Sequence, residues 1–213
     1  MAKGKNQEKI NEMKSVLVSS NEFVVLDIET TGLSPLKGGR IIEIGAVKIV
    51  NEEIVDTFSQ LIYPEMKIYK KIIDITGITN EMLSDKPVFR EVLPKFYKFI
   101  GNATVVAHNS GFDWDRFLLF YFSKVGIIPT NQVVDTLLLS RELFPNASSH
   151  KLEDICRELG IVLSNAHRAE NDAIATSKLF LEIRKLCLKD FNAEQSEQTD
   201  LFNMTAIERE EPN

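Results

Sequence analysis

Apolar and polar positions follow two rhythms along the 213 residues. One is the short apolar run of a buried strand, the other the i, i+3, i+4, i+7 recurrence of a helix face. Phe23, Val24, Val25 and Leu26 predict a buried strand over 22–28. "IIEIGAVKIV" (41–50) and "IVDTFSQLI" (54–62), joined by "NEE", read as two strands of an antiparallel hairpin. "ITGITNEML" offers turns and a short helix. Val88, Phe89, Val92, Leu93, Phe96, Phe99 and Ile100 form a helical stripe opened by Pro87, with a kink expected at Pro94. "TVVAH" (104–108) is a further strand, and 112–125 a helix stopped by Gly126. "QVVDTLLLSREL" is a strand running into a helix. Leu152, Ile155, Cys156 and Leu159 mark a helix ended by Gly160, and 169–188 is a long last helix. A hairpin followed by alternating strands and helices predicts an α/β domain with a mixed sheet. Its expected extent is 21–189, after a weakly helical N-terminal extension (1–20) and before an acidic tail (190–213) expected to be disordered.

Charge sharpens this picture. The formal net charge is −6, and residues 190–213 carry seven acids against one base, Arg209. The tail therefore holds the whole excess, and the body is neutral. A neutral body can touch phosphate locally, so a short contact of a few nucleotides is expected rather than a long basic track. Nothing approaches the roughly 20 apolar residues of a membrane helix. The basic start lacks the apolar middle of a signal peptide. Cys156 and Cys187 sit in helical patterns without pairing or metal spacing, as in a reducing, cytoplasmic protein.

The chemistry begins at "FVVLDIETTGL" (23–33). Strand side chains alternate faces, so Asp27 and Glu29 point the same way, at the end of a buried run. Two like charges so close raise each other's pKa unless something positive lies between them, and no Lys or Arg is near in sequence. Further polar groups interrupt apolar segments: His108, Asn109 and Asp113 in "AHNSGFDWD", Asp135 in "VVDTL", and His167 and Asp172 in "NAHRAENDAIA". Singly, each has a plain structural role, such as an N-cap for Asp135 or a helix-terminus charge for Asp172. Jointly, four carboxylates from three segments converging where strands end and helices begin suit two hard divalent cations, Mg²⁺ or Mn²⁺. A pair of such ions is suited to phosphodiester hydrolysis.

"LDIETTGL", "HNSGFD" and "HRAEND", in that order and spacing, resemble the three motifs of the DEDDh 3′→5′ exonucleases. That family includes the proofreading epsilon subunit and exonuclease domain of bacterial DNA polymerase III. The resemblance runs from about Phe23 to Ile183. It implies a ribonuclease-H-like α/β fold, with a mixed, mostly five-stranded sheet flanked by helices. It also implies that Asp27, Glu29, Asp113 and Asp172 hold two metal ions and that His167 is the general base. Thr30, Thr31 and Leu33 would contact the terminal nucleotide, and His108, Asn109 and Phe112 would line the same pocket. Asp115, Asp135 and His150 are read as structural. The expected substrate is a single-stranded or frayed DNA 3′ end, in proofreading or repair. The rivals are a 3′→5′ exoribonuclease and a non-catalytic binding module. The five catalytic-type residues weigh against the second.

"QTDLF" (198–202) places an apolar pair in the polar tail. It resembles the Gln-x-x-Leu-Phe peptide by which bacterial replication and repair proteins bind the sliding clamp. Gln198, Leu201 and Phe202 are thus candidate partner-binding residues, with a DNA polymerase as a further candidate partner.

Overall fold

The computed structural model describes residues 2–164 and 166–207, with side chains covered from Gly4 to Ser196 apart from Lys5, Asn165 and Glu194. Helix α1 (Ala2–Ser19) leads into strand β1 (Glu22–Thr30), a 3₁₀ turn (Pro35–Lys37), β2 (Ile41–Val50) and β3 (Glu53–Leu61). Three helices follow, α2 (Lys70–Thr76), α3 (Asn80–Leu83) and α4 (Phe89–Ile100), then β4 (Thr104–Ala107). A π-wound turn (Gly111–Leu118) runs into α5 (Leu119–Lys124). The chain continues through β5 (Val133–Asp135), α6 (Thr136–Leu143), α7 (Leu152–Glu158) and α8 (Ala169–Ile207). The sheet order is β3-β2-β1-β4-β5; β1 pairs antiparallel with β2 and parallel with β4, the mixed five-stranded sheet expected. The hairpin turn needs only Asn51 and Glu52, at φ 51° and 70°, the two positive values of a type I′ turn; Glu53 joins the strand.

Strand alternation sorts the core into two layers. Val24, Leu26 and Ile28 face α4, the π turn and α5, against Phe96, Trp114, Phe117 and Phe122. Phe23 and Val25 face the other way, against Met13 and Leu17 of α1 and Leu179, Phe180 and Ile183 of α8. The N-terminal segment therefore belongs to the domain core. Arg184 binds it in place, donating to the carbonyls of Leu17 and Ser20 and pairing with Glu52. Pro94 lies inside α4 without ending it. The helix after Gly111 starts with π winding, where a regular helix over 112–125 is expected. The last helix also differs from expectation: it runs to Ile207, past the end at 188 expected from the sequence. Its sequence supplies the reason, since no Gly or Pro occurs between Asp190 and Glu211 and Ala, Glu, Gln, Leu and Met recur. The side chains of Gln198, Leu201 and Phe202 lie outside the described residues.

Candidate active site

Asp27 and Glu29 share the strand parity of Phe23 and Val25, so both project toward the α8 side of the sheet. Across the β1–β2 ladder, Glu29 stands opposite Glu43 and Asp27 opposite Gly45. Gly45 makes room for the start of α8: a Cβ there would lie 2.2 Å from the backbone of Ala169 and Glu170. That close approach brings Asp172, in the first turn of α8, to the carboxylates of β1. Ligand-type atoms of Glu29, His167 and Asp172 all lie within 4.8 Å of one another. Asp27, His108, His167 and Asp172 line one cleft of about 410 Å³. Asp113 enters from the other layer, buried in the π turn. Asp27 and Asp113 are outside the tight group of three, yet the charge of Asp113 is the largest one acting on Asp27.

Burial and mutual repulsion push each of these acids above the usual carboxylate range. Burial, then the charges of Asp113, Glu29, Asp172 and Glu43, pushes Asp27 well up. Burial and Glu29 push up Asp113. Burial, Asp172 and Glu43 raise Glu29 to about 8, with Arg168 pulling the other way. Asp172 is raised to about 6, chiefly by burial, against the backbone N–H of His167, which donates to its Oδ2 at 3.0 Å. Its other oxygen, Oδ1, is buried with no hydrogen-bond partner among the described residues. Crowded carboxylates with an orphaned buried oxygen fit a hard divalent cation, whose charge reverses the repulsion.

The remaining predicted residues are placed with varying freedom. His167 is exposed, at φ 66°, with Nε2 3.7 Å from Glu153 Oε1. Asn109 is exposed and also left-handed, at φ 79°. The hydroxyls of Thr30 and Thr31 build the turn: Thr30 donates to the Gly32 carbonyl at 2.8 Å, and Thr31 accepts from Arg40 N–H at 2.9 Å. Leu33 projects into solvent, 78% exposed. Phe112 packs on Phe117 and beneath the Arg116 guanidinium. Both ring nitrogens of His108 are engaged, Nδ1 with Thr136 Oγ1 at 3.0 Å and Nε2 with the His150 carbonyl at 2.8 Å. Burial lowers its pKa, which leaves a neutral ring fixed in the cleft wall. Asp135 caps α6 and accepts from the backbone of Asn109 and Ser110, a structural role as expected.

Sequence reading missed Glu43 and Arg168. Glu43 is fully buried, and Arg168 donates to both its oxygens at 2.7–3.2 Å. A cation therefore does stand beside the carboxylates, held by Glu43 from 125 positions further along the chain. The signal was a lone Glu in the otherwise apolar "IIEIGA".

The RNase_T family model, described as an exonuclease, matches residues 24–180. This chain belongs to that exonuclease family. It is 46% identical over 159 residues to the DNA polymerase III PolC-type of Clostridium perfringens (strain 13 / Type A), covering 75% of this chain and 11% of that protein. It is 40% identical over 167 residues to the 3′-5′ exonuclease DinG of Bacillus subtilis (strain 168), covering 78% of this chain and 18% of that protein. The chain thus spans about a tenth to a fifth of these relatives' length. The nuclease domain of 3′hExo, a DEDDh family member solved bound to rAMP, shares the fold at TM-score 0.68 and 19% identity, covering 80% of this chain and 95% of that one. The ribonuclease-H-like exonuclease fold expected from the motifs is the fold observed. Among the described residues, no helix is long and apolar enough to cross a membrane.

Proposed function

We propose that this chain is a metal-dependent 3′→5′ exonuclease acting on DNA 3′ ends, in proofreading or repair. The observation that carries this reading is the meeting of Glu29, His167 and Asp172 within 4.8 Å beside Asp27 and Asp113. The similarity to PolC-type DNA polymerase III supports DNA over RNA, and that to the 3′-5′ exonuclease DinG supports the polarity. Asp27, Glu29, Asp113 and Asp172 would hold two divalent ions, Mg²⁺ or Mn²⁺. When bound, such ions offset phosphate charge and stabilise the attacking and leaving oxygens. His167 takes the proton from the attacking water; its imidazole is exposed at the mouth of the carboxylate cleft, where a water can reach it. Glu153 Oε1 lies 3.7 Å from His167 Nε2, where it would attract the protonated ring. Thr30, Thr31 and Leu33 present turn backbone and an apolar wedge to the terminal nucleotide, with His108, Asn109 and Phe112 behind it. Gln198, Leu201 and Phe202 are proposed to dock on a sliding clamp, which would hold the domain at DNA.

Matched DNA and RNA oligonucleotides, labelled at the 5′ end, test the reading with Mg²⁺ or Mn²⁺. Loss of single nucleotides from the 3′ end of DNA is the expected ladder. Faster shortening of RNA would transfer the activity to RNA ends; no shortening of either would end the exonuclease reading.

A further inference from the structure

We propose that a basic and aromatic groove beside the turn after β1 holds the strand upstream of the terminal nucleotide, a role that rests on the exonuclease reading. The groove encloses about 900 Å³, and its walls include Leu33, Lys37, Arg40, Met66, Tyr69 and Arg116. Among the described residues, no acidic side chain lines it. Lys37, Arg40 and Arg116 form no ion pair among the described residues; Arg40 reaches the Tyr121 hydroxyl and Arg116 the Leu33 carbonyl, both neutral. Three uncompensated cations on a body of zero net charge form a local anion-attracting surface.

Its aromatic member is set out in solvent on a fixed backbone. Tyr69 is 73% exposed. The Tyr69 carbonyl accepts from Ile72 N–H at 2.9 Å, the buried Ile68 plugs the segment beneath it, and Asn80 clamps the Ile68 backbone at both N–H and carbonyl. The opposite wall is equally fixed. Thr31 N–H donates to the Arg40 carbonyl, Tyr121 donates to the Gly39 carbonyl, and a Cβ on Gly39 would meet Ser34 O at 2.8 Å. An exposed aromatic face on a fixed backbone and cations without ion pairs along one groove are what a single-stranded phosphodiester chain needs: bases stack on the ring and phosphates meet the cations. Thr31–Leu33, which line the groove, follow Glu29 by two to four residues, so the groove adjoins in the chain the end of the strand that carries Asp27 and Glu29.

The test compares wild type with Lys37→Ala/Tyr69→Ala, both exposed positions apart from the catalytic cluster. Anisotropy of fluorescein-labelled dT8 in EDTA reads binding, and hydrolysis of dT2 and dT8 with Mn²⁺ reads turnover. The double variant is expected to bind dT8 about tenfold more weakly or worse, from lost stacking and one lost phosphate contact. The slope of log affinity against log salt should become shallower by about 0.7. dT2, too short to reach the groove, should be cleaved at the wild-type rate, and the KM for dT8 should rise. Unchanged dT8 affinity and salt slope would overturn the groove. So would equal losses on dT2 and dT8, because they would put both residues at the terminal site. Groove-dependent binding in a wild type that cleaves neither substrate would instead remove the exonuclease reading and leave the groove standing.

Discussion

Arg168 grips both carboxylate oxygens of Glu43, with its Nη2 2.7 Å from Oε1 and its Nε 3.1 Å from Oε2. Glu43 also accepts from Ala169 N–H at 3.0 Å. One buried acid in β2 thus holds the residue after His167 and the first residue of α8, and so fixes the approach of His167 and Asp172 to β1. Removing Arg168 leaves the charge of the fully buried Glu43 without its partner, although the guanidinium itself, about a third exposed, is partly screened by water. Arg168→Ala should lower stability by about 1–3 kcal/mol in urea unfolding. Arg168→Lys should recover part of that, lacking the planar fork. A loss within about 0.5 kcal/mol, the range of an ordinary surface substitution, would remove the pair from this role.

Asp27→Asn should abolish cleavage and raise the melting temperature of the metal-free protein. The buried Asp27 carboxyl sits among Asp113, Glu29 and Asp172, all of which raise its pKa. Replacing it with a neutral isostere relieves that repulsion. Mn²⁺ should then raise the melting temperature of the wild type more than that of the variant, by mass action. Equal metal-dependent shifts would place the ions elsewhere.

The metal-free protein should become less stable as pH rises from about 5 to 8. Glu29 is raised from 4.5 to about 8 and Asp172 from 3.8 to about 6, so within this window the folded state binds more protons than the unfolded one. Stability then falls with increasing pH, opposite to the behaviour of salt-bridged carboxylates. Thermal melts in EDTA across that range measure the slope, and saturating Mg²⁺ or Mn²⁺ should flatten it. A flat or rising profile in EDTA would contradict the crowding of these acids.

The strand parity that joins Phe23 and Val25 to Asp27 and Glu29 was readable because it is local, a matter of counting by two. Asp172 and His167 were readable because they bracket a helix start. Glu43 and Arg168 were not, since their pairing depends on a ladder register and on the room left by Gly45, neither visible in a window of sequence. The groove around Tyr69 escaped for the same reason: its cations come from residues 37, 40 and 116, too dispersed to read as a basic run. The end of α8 was not readable either: no Gly or Pro follows Leu188 before Pro212, so nothing local marks where the helix stops.

A peptide of residues 194–206 should bind the sliding clamp of the same organism with a dissociation constant of about micromolar, typical of a short segment that must order itself on binding. Leu201→Ala with Phe202→Ala should abolish that binding and leave cleavage of free oligonucleotides intact. Clamp-loaded DNA should lose the advantage of tethering, which for a short linker corresponds to an effective concentration of about millimolar. No binding by isothermal titration at several hundred micromolar peptide, on the order of a hundredfold weaker than expected, would take the clamp out of the account.

His167 tests the chemistry most directly, and its backbone dictates the substitution. At φ 66° it occupies the left-handed region, which Ala adopts at a cost and Asn tolerates. His167→Asn therefore keeps the turn that lets the His167 N–H donate to Asp172 Oδ2, while removing the imidazole. Hydrolysis should slow by about 10²–10⁴-fold, the usual contribution of a general base. Wild-type rate should climb with pH as the base loses its proton, and the variant should lose that limb. Mn²⁺-induced thermal stabilisation, set mainly by the carboxylates, should stay close to wild type. A variant with the wild-type pH profile would assign the proton to another group; one that loses stabilisation by Mn²⁺ would make His167 part of the ion site rather than the base.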